Sequence, residues 1–462
     1  MKILNTRRKF AQKMFEELKK ILSEVIKKFP DKRKGNNKQY SMEEIGMAAF
    51  SIFYMQSPSF LAHQKLLEES QGSSNAKTLF DLEKIPTDNH IRDILDEVGP
   101  QHLNDVFKAA FSLVKTSEYY KNLTGINGTK LLALDGTWYH SSEKIHCKNC
   151  TIIEHRNGKK TYAHVAVTPV FVGPNKQHVI PLAPEFVVPQ DGSKKQDCEI
   201  NAAKRFIAKN ENLAKEEDIT ILGDDLYAKQ PFCTQVKKAG FHFLFVCKPQ
   251  SHKILAEWIQ ILDKEKDLAT VSFSKTKNTK KFHYTYKYAN NVPLRDSEDT
   301  LKVNYCEVAI INDKKKIIYK NSFITDHEIT ADNVVDIVKS GRARWKVENE
   351  NNNILKTKGY NLEHNFGHGA KHLSSLLMTM NLLSFLFHTI LEIFDPLFAA
   401  LRDKLPSRKI FFDHLKALTC YLIFKNWNCL LSFMIDGLQN PMSLDMLFKY
   451  CLSAKKSLSP KQ

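Results

Sequence analysis

The sequence predicts an α/β fold: a mixed-sheet core that carries a β-rich insertion and is flanked by N-terminal and C-terminal helical regions. Three observations lead there. The pattern changes sharply near Thr129, from helical periodicity to short apolar and β-branched runs. Those runs then alternate with helix-like segments up to about residue 250, and helical periodicity returns from Thr330 to Tyr450.

In segment 1–124, apolar residues recur at helical spacing among many lysines over 9–28, and Ser41-Met-Glu-Glu44 is a capping box opening a second helix through Tyr54. Thr87 ahead of Ile91, Ile94, Leu95 and Val98 starts a short helix stopped at Gly99-Pro100, and 103–114 forms a further one. A basic helical region of this kind either grips duplex DNA or is an ordinary packed bundle; no recognition-helix pattern stands out.

Segment 125–250 reads as strands at 131–134, 162–172 and 179–188, a helix at 198–208, a strand at 219–222, a helix at 231–239 and a strand at 241–247. Three strands, helix, strand, helix, strand is the order of an RNase H-like core. Segment 251–329 is the β-rich insertion, with alternation in Phe282-His-Tyr-Thr-Tyr-Lys-Tyr288 and Val303-Asn-Tyr-Cys-Glu-Val308; its basic run 274–281 is a solvated loop or a DNA contact. Segment 330–395 resumes the core as helix, with Thr330 as the expected N-cap, and 396–462 is a helical C-terminal region.

A chain of 462 residues with 42% apolar composition supports two to four folding units. Its 68 Lys+Arg against 51 Asp+Glu give +17, spread over the whole length, which makes nucleic acid the expected partner ahead of a membrane surface. Nine scattered Cys and no apolar leader at Met1-Lys-Ile-Leu-Asn-Thr-Arg-Arg8 point to reduced thiols in the cytoplasm. The most apolar stretch, 376–394, is interrupted by Asn381, Ser384, His388 and Glu392, so a buried helix is expected and no membrane span.

Asp135 sits inside the apolar run Lys130-Leu-Leu-Ala-Leu-Asp-Gly-Thr137. A second acid ends another such run at Ile219-Thr-Ile-Leu-Gly-Asp-Asp225, and a third follows in the helix-like Arg344-Trp-Lys-Val-Glu348. A buried strand that ends in a carboxylate places charge where desolvation is costly unless something pairs with it. Two carboxylates about 4 Å apart repel by about 4 kcal/mol at an effective dielectric near 20, so a cluster of them favours cations, two Mg²⁺ above all.

The order and spacing resemble the DDE transposases of bacterial insertion sequences, in particular the group with a β-rich insertion before the Glu and the pattern Tyr-x2-Arg-x3-Glu-x6-Lys around it. Arg344 and Glu348 keep the Arg-x3-Glu spacing, with Trp345 beside the Arg. The Tyr position is Gly341 and the Lys position is Leu355, with Lys356 next to it. Further similar stretches are Ile85-Pro-Thr-Asp-Asn-His-Ile-Arg92, Asp135-Gly-Thr137, Lys195-Gln-Asp-Cys-Glu199, Gly223-Asp-Asp-Leu-Tyr227, and Asn349-Glu-Asn-Asn-Asn353 through His364-Asn-Phe-Gly-His368; the likeness spans about 85–395.

The resemblance implies that Asp135, Asp224 and Glu348 hold two Mg²⁺, or Mn²⁺ in their place, while Arg344 and Lys356 position DNA phosphate. Asp224 is preferred to Asp225 because the family pattern has an aromatic residue three positions on, here Tyr227; Glu350 is the rival of Glu348, and an intrahelical ion pair is the plain alternative for Arg344. Terminal inverted repeats, target DNA and a homodimer on DNA are the implied partners. The alternatives are a DNA-binding protein that has lost catalysis and a metal-dependent nuclease of the same fold.

Cys147-Lys-Asn-Cys150 is one half of a structural zinc pattern, with His146, His155, His164 and Cys198 as candidates to complete it and an unliganded turn as the alternative. His364, His368 and His372 repeat at four-residue intervals, but Gly367 and Gly369 break a regular helix there, so surface histidines are expected ahead of a DNA-contacting loop, and that loop ahead of a metal site. Trp138, Tyr139 and Trp345 are either core residues or platforms for a base.

Overall fold

The computed structural model describes residues 2–35, 38–69, 72–189, 196–440 and 444–451. Lys195 of the 195–199 stretch lies outside the described residues. Two compact units arise from a chain that passes back and forth between them: one comprises 1–119, 138–165 and 352–462, the other 120–137 and 166–351.

One mixed sheet contains eleven strands. They are β1 (Lys130–Ser142), β2 (Thr151–Glu154), β3 (Lys160–Val172), β4 (Ile180–Pro181), β5 (Glu185–Phe186), β6 (Ile219–Gly223), β7 (His242–Val246), β8 (Ala269–Lys277), β9 (Lys280–Pro293), β10 (Lys302–Asn312) and β11 (Ile317–Thr325). Their order is β2-β3-β1-β6-β7-β11-β10-β9-β8, with β4 and β5 on β3. β1, β6 and β7 are mutually parallel, while β11 is antiparallel to β7.

The parallel strands are the apolar runs of the sequence. Leu131 to Leu134, all of β6 and Phe243 to Phe245 are buried, as strands covered on both faces must be. Helices Glu199–Lys209 and Gln230–Lys238 precede and follow β6, close to their expected bounds. The expected strand over 179–188 is instead two two-residue pairings on β3. Pro184, between the two pairings, accounts for the interruption, since proline supplies no N–H to a ladder.

The insertion starts with a helix, Lys253–Glu265, whose Leu255 and Ile259 face inward. Its strands do not form a sheet of their own: β11 pairs with β7, so the hairpins prolong the core sheet. The basic run 274–281 is the exposed tip of the β8–β9 hairpin, closed by Asn278 and Thr279 at φ 47° and 65°. Positive φ at both central residues matches the right-handed strand twist, and Asn accepts it more readily than Thr. The next helix is Val334–Arg342, and its N-cap is Asn333, not Thr330. Asn333 Oδ1 accepts the Thr330 N–H at 2.9 Å, and this local turn holds Thr330 outside the helix.

The other unit is mainly helical, with β2 pairing the first residues of β3. Its axis is the helix Leu373–Phe394, packed against Lys2–Ile26, Met42–Tyr54 and Pro396–Lys404. Ser41 and Glu44 form the expected capping box. Leu373–Phe394 is long and apolar enough to cross a membrane, but 89% of its apolar window is buried inside the protein. Its polar residues explain that placement. Asn381 donates to Tyr360 O at 2.9 Å, His388 shares a 2.7 Å hydrogen bond with the Tyr360 hydroxyl, and Glu392 pairs with Arg402 and Arg408 at 2.9 and 2.8 Å. A lipid face supplies none of these partners.

Candidate functional site

Register brings the first two acids level. Ala133 on β1 pairs with Leu222 on the parallel β6, and Asp135 and Asp224 each follow two residues later. Residues at equal height on neighbouring parallel strands project from the same face, so both carboxylates rise at the same end of the sheet. Asp225 turns elsewhere: it accepts the Lys248 N–H at 2.6 Å and lies 3.4 Å from His252 Nε2. Asp224 instead accepts the Leu226 N–H at 2.9 Å, and its carbonyl accepts the Tyr227 N–H.

Glu348 arrives on an unusual piece of helix. After Arg342 the regular hydrogen bonding loosens, and Val347–Asn352 is a π-helical turn instead of the α-helix expected from the sequence. Such wide turns are rare and concentrate at functional sites. Arg344 Nη1 lies 2.6 Å from Glu348 Oε1 and 4.0 Å from Asp135 Oδ1, so one guanidinium stands between the two acids. The ion-pair alternative for Arg344 is the arrangement present.

The electrostatics record the convergence. The Asp135 carboxyl is pushed up to about 7, first by burial and then by the negative charge of Glu348, with Arg344 opposing and Glu199 and Asp224 adding to the rise. Three acids distant in sequence therefore act on one carboxyl. Among the described residues, two other side-chain sets bring three or more potential metal ligands within 4.8 Å of one another, and Asp135, Asp224 and Glu348 do not close to that distance. Arg344 supplies the countercharge in their midst.

Glu199 is the residue sequence reasoning left without a role. Its Oε1 accepts the Gly136 N–H at 3.1 Å and the Tyr227 hydroxyl at 2.6 Å. A Cβ at Gly136 would meet Glu199 Oε2 at 2.1 Å, so glycine is required beside Asp135 for the carboxylate to approach. Burial raises the Glu199 carboxyl, the Tyr227 hydroxyl opposes that shift and Asp224 reinforces it. Its signal in the sequence was a Glu opening a helix after the third expected strand, together with an Asp-Gly at the end of the first; neither alone points to a site.

Gly341, standing where the family pattern has Tyr, is explained by packing: a Cβ there would lie 2.6 Å from the Phe323 ring. Leu355 is fully buried, whereas Lys356 is ion-paired to Glu363 at 2.9 Å. Lys346, deep in the same stretch, donates to the carbonyls of Gly173 and Lys176. Trp345 and Trp138 are each 45% exposed, while Tyr139 is a core residue stacked on His164.

In the helical unit, the Cys147-x2-Cys150 turn has partners different from most of those expected. Its two sulfurs lie 3.9 Å apart, and His164 Nε2 is 3.6 Å from each. The fourth member is His368, with Nε2 3.6 Å from Cys150 Sγ, so this histidine is not the surface residue its glycine-flanked loop suggested. His146 stacks on Tyr162, His155 bonds Thr161, and Cys198 is exposed; none of these belongs to the set. No protein-family model matches the chain, and no curated protein matches its sequence.

Proposed function

We propose that this chain is a DNA transposase with an RNase H-like core, acting on the phosphodiester bonds at the ends of its own element. The reading is carried by one observation: Asp224 and Glu348, from two distant segments, bear together with Glu199 on the largely buried carboxyl of Asp135, where the pairing of two parallel strands ends. The strand order β3-β1-β6-β7, with β1, β6 and β7 parallel and helices before and after β6, supports the RNase H-like assignment. The charge of +17 supports a polyanionic substrate.

Three carboxylates are a donor set for a divalent cation, and the Arg344 guanidinium between Asp135 and Glu348 supplies positive charge to the same place. A carboxyl raised by burial and by neighbouring acids is relieved by positive charge, and Asp135, Asp224 and Glu348 would hold Mg²⁺ or Mn²⁺. When bound, such ions activate the attacking oxygen and stabilise the leaving oxygen of an in-line phosphoryl displacement. The chain's own contributions are distinct. Glu199, fixed by Gly136 and Tyr227, keeps the strand end in place beneath the acids. Arg344 holds Glu348 toward Asp135 and is the donor for a DNA phosphate.

The test is a strand-cleavage and strand-transfer assay on duplexes carrying the sequences that flank the coding sequence on either side, in Mg²⁺ and in Mn²⁺. Alanine at Asp135, Asp224 or Glu348 is expected to abolish cleavage while DNA binding persists. Cleavage by Asp135→Ala at the wild-type rate overturns the assignment. Gly341 in place of Tyr and the Arg344 guanidinium among the acids favour a second reading, a transposase-derived DNA-binding protein without catalysis. Binding without cleavage by the wild-type chain in both metals selects it; cleavage that is never followed by joining selects a nuclease of the same fold.

A further inference from the structure

Two sulfurs and two imidazoles meet in the helical unit, brought there by three segments. Cys147 and Cys150 lie on the turn after β1, His164 on β3, and His368 on the loop ahead of Leu373–Phe394. All four ligand atoms lie within 4.8 Å of one another, and Cys150 and His164 are buried.

The spacings carry a geometric signature. A tetrahedral zinc ion with Zn–S of about 2.3 Å and Zn–N of about 2.0–2.1 Å requires sulfurs about 3.8 Å apart and sulfur to nitrogen about 3.6 Å. The observed separations are 3.9 Å for the sulfur pair and 3.6 Å for three sulfur–nitrogen pairs. A disulfide is a poor match to the same atoms, because it needs sulfurs about 2.05 Å apart. The Cys147 N–H donates to Cys150 Sγ at 3.4 Å, which stabilises a thiolate there, and the Cys150 N–H donates to the Cys147 carbonyl, which closes the turn. The surroundings hold the ligands in position. Tyr139 stacks on His164, Asn149 donates to the Lys371 carbonyl at 2.8 Å, and Asp96 accepts the backbone N–H groups of Ala370 through Leu373.

We propose that Cys147, Cys150, His164 and His368 form a structural zinc site that ties the loop before Leu373–Phe394 to the turn after β1. Binding converts two thiols to thiolates and releases their two protons, leaving a neutral centre: two negative sulfurs, two neutral imidazoles and one divalent cation. All four positions are filled by protein, so the centre is closed to substrate, as structural zinc sites are. The S₂N₂ donor set selects zinc over the oxygen-preferring ions proposed for the acids. The site bridges residues 218 apart in sequence, and its expected effect is to fix the part of the loop that precedes the segment anchored by Asp96.

The full chain, expressed with zinc in the medium and dialysed against metal-free buffer, is expected to retain one zinc per chain by elemental analysis. Cobalt(II) in its place should give the visible bands of tetrahedral coordination together with a thiolate charge-transfer band. Cys150→Ser and His368→Ala should lose stoichiometric metal, while His368→Cys should keep it. Chelation should remove hydrogen-exchange protection from residues 361–372 and leave that of β6 and β7 unchanged. If a variant fails to fold, metal content and the cobalt spectrum of the unaltered chain decide alone. A chain that purifies without metal and binds no added zinc overturns the proposal. So does cobalt in an octahedral, thiolate-free environment, or zinc content unchanged in a folded Cys150→Ser.

Discussion

Replacing Asp135 with Asn should make the sheet unit more stable at alkaline pH and, on the proposed function, abolish DNA cleavage. The Asp135 carboxyl stands at about 7 against an ordinary 3.8, a rise of about three units driven first by burial and then by Glu348. At 1.36 kcal/mol per unit, this amounts to about 4 kcal/mol. The side chain is 18% exposed, so solvent screening trims the figure only in part. The sign follows from proton uptake. Between the unfolded and the folded value, the folded chain holds a proton that the unfolded chain has released. The stability this provides is complete below about pH 4 and is lost as pH rises through about 7. Asn cannot ionise, so the variant should match the wild type near pH 4 and exceed it by about 2–4 kcal/mol at pH 8. Because the chain has two units, urea unfolding is best read by hydrogen exchange at the amides of β6 and β7, where two-state treatment of one unit applies. Added Mg²⁺ at pH 8 should stabilise the wild type and have little effect on the variant. A variant no more stable than the wild type at pH 8, or one with the same pH slope, refutes the electrostatic account of Asp135.

Glu199→Gln keeps an oxygen for Gly136 and Tyr227 but removes a negative charge that raises Asp135, so the acidic limb of the pH–cleavage profile should move to lower pH; an unmoved limb would separate Glu199 from the site. Gly341→Tyr should destabilise the sheet unit by about 1–3 kcal/mol through overpacking on the Phe323 ring, and chemical denaturation with unchanged stability would count against that contact. Binding to duplex DNA should fall by about 10³–10⁵ between about 50 and 200 mM salt if six to ten phosphates are engaged; a flat salt response would remove DNA as the partner of the positive charge.

The parts of this fold that were legible in the sequence are those set by local chemistry. The capping box at Ser41 and Glu44, the apolar runs of β1, β6 and β7, and the buried helix interrupted by Asn381, His388 and Glu392 each carry their own signal in residue type and spacing. Features created by packing were not legible. Whether an acid at a strand end faces a neighbour depends on register, and the offset that levels Asp135 with Asp224 is fixed by pairing between strands nearly ninety residues apart. Glu199 was hidden for the same reason: its role depends on a glycine that admits it and a tyrosine that orients it, from two other segments. His368 is the sharpest case. Gly367 and Gly369 correctly argued against a helix, but the absence of a helix does not imply exposure. A loop anchored by four backbone hydrogen bonds to one aspartate, Asp96, can set a half-buried imidazole against two cysteines without a helix. Histidine spacing along the chain therefore carried no information about ligation here; that information lay in Asp96, some 270 residues earlier in the sequence.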